Sequence, residues 1–193
     1  MGLRDVLFGR KKLKDPARER LFAISTARVT LESELDLKPA GAAGVCFKPL
    51  SAGEFGEAER EIDELLQSVA QGAGSTLDHK TDTFGFEWII VRDDDLEDQV
   101  TGVHAVASEL EARGFGGQLL AAPFRFDGGT WGGEHPVYWI YGFKTGTWWP
   151  FVPTGEKQER DNARELELKA KLEHELPIEP DLSRWLALYD TPI

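Results

Sequence analysis

Few residues in this 193-residue chain could do chemistry: one cysteine, four histidines and a crowded set of carboxylates. Cys46 lies in the apolar run Val45-Cys46-Phe47, which predicts a buried structural thiol, because a reactive thiolate needs an electropositive, partly exposed site. A lone cysteine excludes an internal disulfide and a cysteine-based zinc site, and a reduced, cytoplasmic compartment is the expectation. His79 stands between Asp78 and Lys80, with Asp82 close by. In a strand, alternation puts Asp78, Lys80 and Asp82 on one face and His79 on the other, a poor geometry for joint ligation or acid–base work. His104, His135 and His174 are scattered. Asp93, Asp94, Asp95, Glu97 and Asp98 could attract a hard cation, but their spacing is not that of an EF-hand loop. A capped, acidic helix start accounts for them, with Asp95 as the N-cap.

Phosphate-binding glycines fail a similar test. Arg113-Gly114-Phe115-Gly116-Gly117 follows a helical pattern instead of opening one, and Gly128, Gly129, Gly132 and Gly133 have no Lys-Ser/Thr sequel. There is no Gly-x-Ser-x-Gly elbow. The expectation is a protein with no catalytic residue, no metal and no cofactor. An acid–base or metal site at Asp78, His79 and Asp82 is the weakest of the readings.

Two features point to binding. Trp131, Tyr138, Trp139, Tyr141, Phe143, Trp148, Trp149 and Phe151 crowd one stretch. Val137, Trp139, Tyr141 and Phe143 share one face of a strand, with Tyr138 and Ile140 on the other. Either the strand is buried twice over, or one face is a partner or ligand surface carried by Trp139, Tyr141, Phe143, Trp148 and Trp149. The second feature is the N-terminus. Residues 1–20 hold Arg4, Arg10, Lys11, Lys12, Lys14, Arg18 and Arg20 against three acids, for a net charge of +4 within a chain whose total is −12. Leu3, Val6, Leu7 and Phe8 form a short apolar face beside Arg10, Lys11 and Lys12, a candidate for weak contact with an anionic membrane. The strongly negative total excludes general nucleic-acid binding. No apolar run reaches the length of a membrane span, and no signal peptide opens the chain.

The elements that must position these residues follow from periodicity. A helix is expected from Asp15-Pro16 to Ile24, a β-like run at Ala27–Leu31, a loop across Pro39, Gly41 and Gly44, and a strand at Val45–Phe47. Phe55, Ala58, Ile62, Leu65, Leu66 and Val69 predict a helix over 54–71. Paired strands are expected at 76–83 and 84–92, the latter buried on both faces, then a helix to Arg113 and a strand at 116–126. A hairpin over 137–144 and 147–152 follows, with Pro150 near an edge. A long charged helix at 156–176 and a short helix from Asp181 close the chain. With 41% hydrophobic residues, this is a folded chain of α+β class, built on an antiparallel or mixed sheet flanked by helices. Residues 1–24 form a basic helical segment and residues 25–193 a single domain.

Four stretches carry a resemblance: Met1 to Arg10; Ala43-Gly44-Val45-Cys46-Phe47-Lys48-Pro49; Phe84-Gly85-Phe86-Glu87-Trp88 through the Asp93–Asp98 run to His104; and Tyr138-Trp139-Ile140-Tyr141-Gly142-Phe143-Lys144 to Trp148-Trp149-Pro150-Phe151. Together they resemble the PspAB family, named for association with the phage-shock protein PspA. The middle region also resembles YbjN-like and secretion-chaperone-like folds, which implies protein binding and a homodimer. The resemblance implies a non-enzymatic accessory or adaptor of an envelope-stress response. Its protein partner would be a component of the PspA system, and it would be cytoplasmic and peripheral at the inner membrane face. The other reading is a small-molecule or peptide-binding module with an aromatic-lined groove around Trp139, Tyr141 and Trp148.

Overall fold

The computed structural model describes residues 19–49, 64, 74–128, 135–155 and 158–193. The helix expected over 54–71, all of it but Glu64, and the N-terminal segment up to residue 18 lie outside the described residues. So do Trp131 and the centre of the glycine-rich turn at 128–133.

The chain enters through a 3₁₀ turn at Arg20–Phe22 and continues into α1, Ala23–Ser33. This corrects the β-like reading of Ala27–Leu31 and the expected helix end at Ile24. Val29 and Thr30 favour strands locally, but Leu21, Ile24, Ala27 and Leu31 bury one face at three- and four-residue spacing, while Val29 is 71% exposed. Burial of the helical stripe overrides the propensity of single residues. Asp36, at a φ of 51°, turns the chain between two buried leucines, Leu35 and Leu37.

Strand β1, Lys38–Phe47, begins where a loop was expected. Its Pro39-Ala40-Gly41 run is an irregular stretch inside the strand: Gly41 has a φ of 72°, and the register against the next strand shifts between Pro39 and Ala43. Proline and glycine inside a strand commonly mark such a bulge. The hairpin β2, Thr76–Thr81, and β3, Glu87–Arg92, turns at Gly85, whose φ of 81° suits glycine. Helix α2, Leu96–Ala112, precedes β4, Leu119–Asp127. The aromatic hairpin is β5, Val137–Gly142, and β6, Thr147–Phe151. Every pairing is antiparallel, in the order β2-β3-β1-β4-β5-β6. Pro150 therefore sits on an edge strand, where its missing N–H costs no ladder bond.

The long C-terminal helix is also corrected. Helix α3 covers only Asn162–Leu172, started by Asp161, whose side chain accepts from the Arg164 amide. After it the chain turns at 173–176 and continues as irregular structure, with a 3₁₀ turn at Leu182–Arg184. The apolar content of these residues goes into the core instead of extending the helix, since Leu176 and Trp185 are buried.

The sheet is covered on both faces. On one, the 3₁₀ turn and α1, α2 and α3 pack Leu21, Ile24, Leu31, Val100, Val103, Leu168 and Leu172 over Val45, Phe47, Ile89, Val91, Trp139 and Trp148. On the other, the C-terminal segment packs Trp185 and Ile193 over Ile90, Tyr138, Ile140, Trp149 and Phe151. α2 lies so close to β3 that a Cβ on Gly102 would stand 2.7 Å from Val91 Cγ1.

Gly102→Ala sets two effects against each other. Alanine favours a helix by about 1 kcal/mol, whereas forcing a methyl against a fully buried valine costs about 1–3 kcal/mol. Val91 has no exposed side to move into, so the clash should win. A loss of about 1 kcal/mol is expected in urea melts at unchanged slope, and a gain in stability would mean that α2 is free to shift away from the sheet.

Candidate functional site

The residues singled out for chemistry end in separate structural networks. His79 lies on β2 and faces the helix side, where its Nε2 is 2.7 Å from Glu87 Oε2. Thr81 donates to the same carboxylate at 3.1 Å. Glu87, buried at the start of β3, is the residue that sequence reasoning missed. The signal for it is the hairpin register: Thr81 pairs with Glu87 and His79 with Ile89, so His79 and Glu87 are diagonal neighbours on one face. Asp78 points the other way and holds Arg92 Nε at 3.0 Å. Asp82 organises the turn: one of its oxygens accepts from the Phe84 and Phe86 amides, and the other accepts from Trp88 Nε1 at 2.8 Å. Asp78, His79 and Asp82 thus serve three different sets of partners.

Cys46 is buried in β1 opposite Trp88. Burial, with the Asp82 charge adding to it, pushes its thiol up to about 12. The thiolate is the form that reacts, so this site suppresses it. Within the Asp93–Asp98 run, Asp93 and Asp95 are spent on the start of α2, with Glu97 and Asp98 in its first turn. Asp93 accepts from Ser75 Oγ and the Asp95 amide, and Asp95 accepts from the Glu97 amide at 2.7 Å. Those amide bonds, with Arg28 nearby, hold the Asp95 carboxyl below its usual range. Among the described residues, no group of three or more His, Cys, Asp and Glu side chains could hold a metal ion.

The aromatic hairpin fills both cores. Trp148 and Trp149 project to opposite faces, as neighbours in an extended strand must. Trp148 Nε1 donates to the Arg20 carbonyl at 2.9 Å, and Trp149 Nε1 to the Leu186 carbonyl at 3.0 Å. Trp139 and Trp148 are fully buried, Tyr141 and Trp149 nearly so, and Phe143 partly. Their rings meet one another: Tyr141 lies 5.1 Å from Trp148 and 5.5 Å, edge-on, from Phe143. Gly142 leaves room for this packing, because a Cβ there would stand 2.9 Å from Trp149 Cζ3. Trp139 Nε1 is buried with no hydrogen-bond partner among the described residues. The other candidate surface, Leu3, Val6, Leu7, Phe8, Arg10, Lys11 and Lys12, lies outside the described residues.

One ion pair joins the two faces. Glu165 on α3 is 1% exposed and accepts from the Val152 amide at 2.9 Å. Arg160 binds it with Nε at 2.9 Å and NH2 at 2.7 Å, while NH1 donates to the Trp185 carbonyl at 2.9 Å. The guanidinium also lies 5.2 Å from the centre of the Phe151 ring. Burial raises the Glu165 carboxyl, and Arg160 and the Val152 amide only partly offset it.

Two measurements follow. Because the folded value of Glu165 is raised, its contribution to stability is full below the ordinary carboxylate range and is lost as pH rises through the raised value. Between pH about 4 and about 7, the stability difference should therefore move in favour of the neutral Glu165→Gln variant as pH increases. A drift towards wild type would show that Arg160 outweighs desolvation. Cys46 should resist thiol-specific reagents in the native protein and react on unfolding in urea; equal rates in both states would refute its burial.

No curated protein and no solved structure matches the chain. No helix among the described residues is long and apolar enough to cross a membrane. The family model of PspAB, PspA associated protein B, matches residues 1–193 from end to end. The stretches it spans include the amino-terminal decapeptide, the β1 core, the β3–α2 junction and the aromatic hairpin, so the chain belongs to the PspAB family.

Proposed function

We propose that the protein is a non-enzymatic accessory of the PspA envelope-stress system, holding a protein component of that system near the inner membrane face. The observation that carries the reading is the family match over the whole chain, whose description links it to PspA. The geometry agrees with it in one respect. Among the described residues, His79 with Glu87, Asp82 and Asp95 are engaged in a cross-strand bond, turn formation and helix capping. The charge distribution adds a second support: a +4 head precedes a body of net −16, and only the head is suited to an anionic surface. In this reading the acidic body engages the partner. The head contributes a weak membrane contact that matters once a partner concentrates the protein there.

The test is co-sedimentation with anionic vesicles, with and without purified PspA. The full chain is compared with the triple variant Arg10→Glu, Lys11→Glu, Lys12→Glu. The wild type should pellet weakly alone and more strongly with PspA. The triple variant should lose the PspA-independent fraction and keep PspA binding measured by titration without vesicles. Absence of PspA binding would overturn the adaptor reading. Equal pelleting of both chains without PspA would overturn the membrane contact.

A further inference from the structure

The two edges of the sheet are treated differently. On β6, the groups that would extend the ladder are taken by the chain itself. The Trp148 amide donates to the Pro177 carbonyl, and the Glu179 amide to the Trp148 carbonyl, both at 2.9 Å, which lays Ile178 alongside as a short parallel bridge. Pro150 has no N–H to offer. The Val152 amide goes to Glu165 and its carbonyl accepts from the Asp161 amide at 2.9 Å. From Trp148 to Val152, no outward-facing N–H is left to recruit another strand.

At the opposite edge, β2 is mostly exposed and has no strand beyond it among the described residues. The Asp82 amide donates to the Phe86 carbonyl at 2.9 Å, which fixes the alternation of the hairpin. Even-numbered residues of β2 turn their backbone groups to β3, and Leu77, His79 and Thr81 turn theirs outward. Such an edge is an open template for pairing unless its side chains forbid it.

The side chains select a partner. We infer that β2 pairs antiparallel with β2 of a second copy of this chain, about a two-fold axis at His79. In that register, Leu77 faces Thr81 of the second copy and His79 faces His79. These three outward-facing positions then form hydrogen-bonded pairs, each exchanging two backbone bonds. Asp78 and Lys80 occupy the alternate positions, where opposite side chains approach most closely, and each Asp78 faces a Lys80 twice over by symmetry. Moving the axis by one residue would place Asp78 against Asp78, or Lys80 against Lys80. Half-residue registers would set outward groups against inward ones. Charge and hydrogen-bond phase therefore agree on a single arrangement, in which the two six-stranded sheets become continuous through both copies. Arg92 already holds Asp78 at 3.0 Å, so in this register Asp78 is shared between Arg92 of its own chain and Lys80 of the second copy.

The experiment is a charge exchange on the full chain. By sedimentation equilibrium, wild type should approach twice the 21.5 kDa of one chain as concentration rises. Lys80→Glu sets acid against acid, Asp78→Lys sets base against base, and each alone should stay at the mass of one chain. Mixed in equal amounts they should recover the doubled mass. The native Asp78 of one variant then meets the native Lys80 of the other, and the introduced acid meets the introduced base. Circular dichroism confirms that each variant is folded. As a second measurement, amide exchange at Leu77, His79 and Thr81 of wild type should slow as concentration rises, with the even-numbered amides of β2 unchanged. A wild type that stays at one chain's mass up to about 1 mM overturns the inference. So does a variant that keeps the wild-type mass alone, or exchange at these amides that is independent of concentration.

Discussion

A sheet with indoles on both faces has to be covered twice, and the rest of the molecule follows from that constraint. β5 and β6 send Trp139, Tyr141 and Trp148 to one side and Tyr138, Ile140, Trp149 and Phe151 to the other. A fully buried aromatic side chain is worth a few kcal/mol relative to one left in water, so either face left open would be a large loss for a domain of this size. Helices meet the need on one side. The second side is covered by the residues after α3, which is why they pack across the sheet instead of continuing as helix.

Tryptophan makes the covering specific as well as apolar. A buried indole usually finds an acceptor for its N–H, and Trp139 is the exception among the described residues. Trp148 finds one at Arg20, where the chain enters the fold, and Trp149 finds one at Leu186, near where it leaves. Trp185 donates to the Glu179 carbonyl, and Tyr138 to the Ile193 carbonyl. The aromatic hairpin thus gathers both ends of the described structure. Arg160 and Glu165 tie the covering layers to each other, since α3 holds the carboxylate and Arg160 reaches the carbonyl of Trp185. A buried pair of this kind adds little net stability over an apolar substitute, but breaking it on one side is costly. Its value here is that it ties the C-terminal segment at Trp185 to α3 across the edge of the sheet.

The strands from Thr76 onward were legible in the sequence because their signals are local. Gly85, the Thr145-Gly146 turn and the alternation around Trp88 and Trp139 mark hairpins without reference to anything distant, and Asp95 announces α2 by its place before an amphipathic stretch. What was misread depends on distant partners. Val29 and Thr30 look like strand until Ile24, Ala27 and Leu31 are seen to share a buried face. Pro39 and Gly41 look like loop until β4 is found beside them. The charge of the C-terminal stretch suggested a long solvated helix, whereas Trp185 and Ile193 belong to a core that only the sheet's second face creates. For the candidate chemistry, alternation correctly separated His79 from Asp78 and Asp82. Glu87 escaped notice because its significance lies in cross-strand register, which no single strand displays.

The fold limits where this PspAB protein can meet anything else. Indoles that fill two cores and carboxylates that cap helices and organise turns are already engaged within the chain. A partner must then be met by what the fold leaves turned outward. The β6 edge is sealed by the chain's own return, and proline completes the seal. The β2 edge keeps its backbone groups outward and carries one acid and one base in alternating positions, a pattern that repels any register but its own complement. An edge protected by charge alone excludes partners by sign and not by shape. It therefore stays available to the one surface that supplies the opposite sign at the same spacing.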